Sequence, residues 1–132
     1  MSHLRALSLF GEGARFHHVG LGVASIAEVC PGAEVHHETA QRVGLAFTRI
    51  DGLPVELLEA AGERSPIARS VQDGPRLLHL CYEVPDLEAA LAACRAHGLH
   101  RLGPPVPTEV FQGRRVVWVY GKLLGLFELL EE

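Results

Sequence analysis

From Phe16 to Val23 the chain alternates in the manner of a strand: Val19, Leu21 and Val23 share one face, while His18, Gly20 and Gly22 share the other. The stretch 77-LLHLCYEV-84 repeats that layout, with Leu78, Leu80, Tyr82 and Val84 on the packing face and His79, Cys81 and Glu83 opposite. Each strand is followed by a helical pattern. In the second copy Asp86 caps a helix whose apolar positions Leu87, Ala90, Leu91 and Cys94 recur until Gly98 closes it. In the first, only 24-ASIAEVC-30 precedes Pro31-Gly32, so the helix is cut to about one turn. Strands are then expected over 33–38, 43–50 and 53–59, the last two joined by a tight Asp51-Gly52 turn of the I′ kind. The second copy continues with a short strand and Pro-rich loop over 99–107. A hairpin follows, made from 114–121 and 123–131 and turning at Gly121-Lys122.

The end of each copy carries a second shared mark. In 54-PVELLEA-60 and 125-GLFELLEE-132 a glutamate sits inside an apolar run, where Val55 and Leu57 oppose Glu56, and Phe127 and Leu129 oppose Glu128. The histidines are 61 positions apart and the glutamates 72, which describes a duplication with unequal loops. The expected fold is α+β: two βαβββ modules forming a curved mixed sheet around a metal-binding cleft, in a single domain over 1–132. Module one spans about 15–60 and module two about 77–132. The polar linker 61–76 between them is expected to hold a short helix after Ser65-Pro66. The apolar stretch 4-LRALSLF-10 exceeds what the repeat needs, and adds an edge strand or covers an interface.

Alternation places His18, Glu56, His79 and Glu128 on inward faces, at positions paired by the repeat. A buried carboxylate without a partner is costly, and so is a buried charged imidazole. A shared divalent cation satisfies both, and two imidazoles with two carboxylates suit Zn, Ni, Co, Mn or Fe, leaving coordination positions open for substrate. The glycines of the first strand are expected to leave room for a ligand. His3, His17, His36, His37, His97 and His100 lack repeat partners on matching faces and read as ordinary surface residues.

Composition narrows the class. The chain has 132 residues, 48% of them apolar, enough for a sizeable core. Its formal charge is −4, with a pI near 6.0 and no basic stripe for a phosphate backbone, so nucleic acid is excluded as a partner. No run approaches the roughly 20 apolar residues of a membrane span. The expected setting is the cytoplasm. Cys30, Cys81 and Cys94 lack CxxC spacing and are taken as reduced packing residues.

These segments, with 65-SPIA-68 ahead of the second module, resemble the vicinal oxygen chelate superfamily of glyoxalases, bleomycin-resistance proteins and dioxygenases. Within it the chain is most similar to methylmalonyl-CoA epimerases. The resemblance implies a glyoxalase-like fold, metal ligands at His18, Glu56, His79 and Glu128, and an epimerase or isomerase of an acyl-CoA thioester. Such an enzyme abstracts a proton next to a metal-chelated carbonyl, through an enolate, with Glu128 as the leading base and Glu56 as second candidate. A homodimer is implied as well. Alternatives on the same fold are a glyoxalase I-like lyase on a thiol adduct and a non-catalytic small-molecule-binding protein. Some relatives carry a further glutamate where this chain has Leu45. Arg64, Arg69, Arg114 and Arg115 are the candidates to meet CoA phosphates.

Overall fold

A computed structural model describes residues 5–39 and 41–132, and the chain divides into two compact units. One is formed by residues 17–81, the other by 82–132 with the N-terminal segment up to Phe16. His3 and Leu4 lie outside the described residues.

In the unit formed by 17–81 the strands are β1 (Arg15–Gly22, entering from the other unit), β2 (His36–Glu38), β3 (Val43–Ile50), β4 (Leu53–Ala60) and the first part of β5 (Arg76–Val84). Their order across the sheet is β2-β3-β4-β1-β5, with β1 and β4 parallel and β2-β3-β4 antiparallel. The sheet is therefore mixed. Asp51 and Gly52, both at positive φ, form the two-residue turn that the sequence predicts, and Ile50 pairs with Leu53 across it. That pairing fixes the register of the whole hairpin and sets Phe47 opposite Glu56.

The helix α1 (Ile26–Val29) is the expected single turn. Ser25 caps it by accepting a bond from the Glu28 amide, and Glu59 Oε1 accepts another from the Ile26 amide at 2.7 Å. Ile26 is fully buried and packs with Val23, Ala46, Val55 and Leu57, so this sheet face is the helix-packed one. Leu57 makes no contact with solvent. Leu57→Ala is expected to destabilise folding by about 2–5 kcal/mol, read as a lowered midpoint of urea unfolding.

In the other unit β5 ends beside β9 (Gly125–Glu131), which pairs with β8 (Arg115–Gly121); the short strands β6 (His100–Arg101) and β7 (Val106–Pro107) also pair with β8. The helix α2 (Leu87–Arg95) starts at Asp86, whose carboxylate accepts from the Ala89 amide. It ends in a Schellman motif: Gly98 takes positive φ, the Leu99 amide donates to Cys94 O, and the Gly98 amide donates to Arg95 O. Leu87, Ala90 and Cys94 bury against Val119, Phe127 and Leu129. Burial also pushes the Cys94 thiol above its ordinary pKa, which suits a packing residue. None of the three cysteines is in a disulfide.

Four local details differ from the sequence expectation. The linker forms successive turns over 61–74 rather than a helix, because its backbone bonds close mostly over three residues and only once over four, between Gly62 and Gly74, which both take positive φ. Residues 5–10 form no strand; Phe10 instead buries its ring against Tyr82 and Phe127. The last hairpin turns through Lys122-Leu123-Leu124 into Gly125 at positive φ, one residue longer than a two-residue turn. Finally, Leu80 lies open on the expected packing face of β5, while Cys81 is fully buried. Among the described residues no helix is long and apolar enough to cross a membrane.

Candidate metal centre

β1 is the middle strand of the trio β4-β1-β5, and the polar face of that trio carries the first three predicted residues. The parallel register sets Gly20 beside Glu56, and His18 lies on the same face two residues earlier. His79 reaches this face from β5, its ring lying directly over Gly20. A Cβ built at Gly20 would overlap the ring at Cε1 and Nδ1. The room that the glycine leaves is thus filled by the imidazole itself. Gly22 plays a similar part for Leu78 and Val71, whose side chains occupy the space a Cβ would need.

The three side chains converge on one point. His18 Nε2 and His79 Nε2 each stand 3.4 Å from Glu56 Oε1, and 3.4 Å from each other. All three residues are buried. Donors about 2.1 Å from a common ion stand about 3.0–3.4 Å apart at octahedral or tetrahedral angles, so this triangle has the size of one face of a coordination sphere. Its chemistry fits too, since two imidazoles and one carboxylate suit a borderline divalent ion. The cluster could hold a metal.

The β3 side of the triangle is apolar. Phe47, across the ladder from Glu56, sets its ring edge-on to His18 with centroids 5.4 Å apart. Leu45, two residues before it on the same face, is buried and pairs with Leu58. Leu45 therefore makes this side of the triangle an apolar wall. Phe47 was open to sequence reasoning, because a two-residue turn at 51–52 forces 47 to pair with 56.

His17 departs from the expectation of an ordinary surface residue. It is half-buried, and its Nδ1 lies 2.8 Å from His18 Nδ1. The rings meet edge to face with centroids 5.1 Å apart. His17, His18 and Cys81 also bring ring nitrogens and a sulfur within 4.8 Å of one another, so polar atoms flank the outer side of the His18 ring.

Glu128 belongs to the other unit. It sits in the middle of β9, buried, opposite Trp118, while Phe127 and Leu129 point into the α2 core as alternation predicts. Its place in that strand matches that of Glu56 in β4.

Two of the four candidate arginines are already engaged. Arg114 pairs with Glu83 at 2.6 Å, and Arg115 grips both carboxylate oxygens of Glu131. That bidentate contact holds the Glu131 carboxyl below the usual carboxylate range and pushes the Arg115 guanidinium up. Arg64 and Arg69 remain exposed, and Arg69 lines a surface hollow with Glu63, Ala68 and Gln72.

Comparison with known proteins agrees with this architecture. Residues 17–118 match the Glyoxalase/Bleomycin resistance protein/Dioxygenase superfamily. An ethylmalonyl-CoA/methylmalonyl-CoA epimerase of Cereibacter sphaeroides is 30% identical over 119 residues, which cover 82% of this chain and 89% of the relative. A mitochondrial methylmalonyl-CoA epimerase of Dictyostelium discoideum is 27% identical over 130 residues, covering 89% and 78%. The crystal structure of methylmalonyl-CoA epimerase from Mycobacterium tuberculosis superposes with a TM-score of 0.69 at 23% identity, covering 98% of this chain and 93% of that one.

Proposed function

Since the chain belongs to the glyoxalase/bleomycin resistance protein/dioxygenase superfamily, we propose that it is a metal-dependent epimerase or isomerase of an acyl-CoA thioester, with His18, Glu56, His79 and Glu128 as ligands. The observation that carries this reading is the buried triangle of His18, Glu56 and His79, whose donor spacing suits one cation. A cation held there would act as a Lewis acid on a substrate carbonyl and make the neighbouring C–H acidic.

The chain's own residues then have separable tasks. The two imidazoles present neutral Nε2 atoms to the ion. Phe47 and Leu45 present apolar groups on the β3 side of the triangle, which favours the apolar part of a substrate there. Glu128 takes the proton from the α-carbon, and Glu56, the other carboxylate in the set, is the second candidate for moving it. An epimerase must return a proton on the opposite face from the one that lost it. Of the candidate arginines, Arg64 and Arg69 are left to meet CoA phosphates, since Arg114 and Arg115 hold glutamates.

The test is deuterium incorporation at the α-carbon of methylmalonyl-CoA in D2O, followed by NMR with Co2+ or Ni2+ added. Metal-dependent exchange is expected. No exchange at any metal loading would defeat the epimerase reading.

Leu45 favours a second reading on the same site. An apolar residue at that wall removes a separate base, and a glyoxalase I-like lyase needs only one carboxylate to take a proton and return it to the adjacent carbon on the same face. Turnover of a hemithioacetal of methylglyoxal, with no exchange on the CoA ester, would select it. Absence of both activities alongside tight binding of a small molecule would select a non-catalytic binding protein.

A further inference from the structure

We propose that His17 is a positioning residue for the ligand His18: it fixes the tautomer and the ring orientation that point Nε2 at the ion. This rests on the metal reading above. His18 Nε2 is the nitrogen 3.4 Å from both Glu56 Oε1 and His79 Nε2, so it is the one whose lone pair must face a cation. The ring proton therefore belongs on His18 Nδ1. At 2.8 Å from that atom stands His17 Nδ1, which accepts the proton's hydrogen bond only if His17 carries its own proton on Nε2. The two imidazoles then form a relay of fixed polarity: the proton of His17 on Nε2, Nδ1 of His17 accepting, Nδ1–H of His18 donating, and Nε2 of His18 toward Glu56 and His79.

A metal-bound imidazole normally donates its second N–H to a carboxylate, a carbonyl or water, and loss of that partner weakens the site. Here an imidazole on the adjacent residue takes that place. Its edge-to-face packing on His18, with ring planes at 76°, limits rotation of the ligand ring as well. Phe47 braces the same ring, with planes at 84° and centroids 5.4 Å apart. A hydrogen-bond acceptor on one side and an aromatic edge on another hold the His18 ring with Nε2 toward Glu56 and His79 before any ion arrives.

The experiment compares Co2+ binding, by d–d absorption and by calorimetry, for the native chain, His17→Phe, His17→Ala and His17→Asn. Phe keeps a ring but offers no acceptor; Asn restores an acceptor through its side-chain carbonyl. Co2+ affinity is expected to fall roughly 10- to 100-fold in His17→Phe and His17→Ala, and to recover to within about threefold of native in His17→Asn. The d–d bands of the two impaired variants are expected to shift, reporting an altered ligand field, while His17→Asn keeps the native spectrum. Apo-protein melting separates a folding defect from a binding one, and if His17→Phe does not fold, His17→Ala against His17→Asn decides. Native affinity in His17→Ala, or an Asn variant as weak as the Ala variant, overturns the proposal while leaving the metal reading intact. A native chain that binds no Co2+ overturns both.

Discussion

Adding one methyl group at Gly20 is expected to weaken Co2+ binding by roughly two to three orders of magnitude, as though His79 had been deleted. Gly20 has ordinary extended φ, so Gly20→Ala brings no backbone strain of the left-handed kind. Its whole effect comes from the Cβ, which would overlap the His79 ring. An imidazole is not a flexible tip that swings aside; it pivots at χ1 and leaves the triangle. If four protein ligands share an apparent metal-binding free energy of about 10–16 kcal/mol, losing one costs about 2.5–4 kcal/mol, which sets the expected loss in affinity. Overpacking adds about 1–3 kcal/mol of lost folding stability. The double variant Gly20→Ala/His79→Ala provides the internal control: it should bind no worse than His79→Ala alone and be more stable than Gly20→Ala. Metal titration with urea unfolding reads both effects, and native Co2+ affinity in Gly20→Ala would mean that the ring is not held over the glycine.

Glu128→Gln is the second change of large expected effect, and it separates ligation from proton transfer. A glutamine keeps a carbonyl oxygen that can still approach a cation but cannot accept the α-proton. Exchange of the α-hydrogen is therefore expected to fall by about 100- to 10,000-fold, with much of the Co2+ binding retained. Measuring both on one preparation is decisive, because a pure ligand would lose affinity and rate together. Unchanged exchange would remove Glu128 as the base and pass that task to Glu56.

Much of this was legible in the sequence because strands report their faces with period two. His18, Glu56 and His79 were assigned to inward faces by counting, and each is buried where counting placed it. Glu128 follows the same rule in β9. The stunted α1 was readable from Pro31-Gly32, and the α2 boundaries from Asp86 and Gly98.

What was not legible has a physical cause in each case. Alternation says that neighbours point to opposite faces, and is silent on side-chain rotation, so the lateral contact between His17 and His18 could not be read. The same counting marked Gly20 as open space, yet which neighbour fills it depends on the pairing of β1 with β5. The linker looked helical at Ser65-Pro66, but its backbone bonds close mostly over three residues, as separate turns, and do not build a four-residue ladder. Arg114 and Arg115 looked available to a ligand because their partners Glu83 and Glu131 are distant in sequence.

The Asp51-Gly52 turn gives the site an arithmetic constraint. With two residues in the loop, positions whose numbers sum to 103 face each other across β3 and β4, which pairs Phe47 with Glu56 and Leu45 with Leu58. A length change of one residue, unless absorbed as a bulge, reverses the parity of β4: Leu57 would face the imidazoles and Glu56 the helix-packed layer. Residues near this loop can therefore vary in kind far more freely than in number, and the spacing from Phe47 to Glu56 is the quantity that ties hairpin geometry to chemistry.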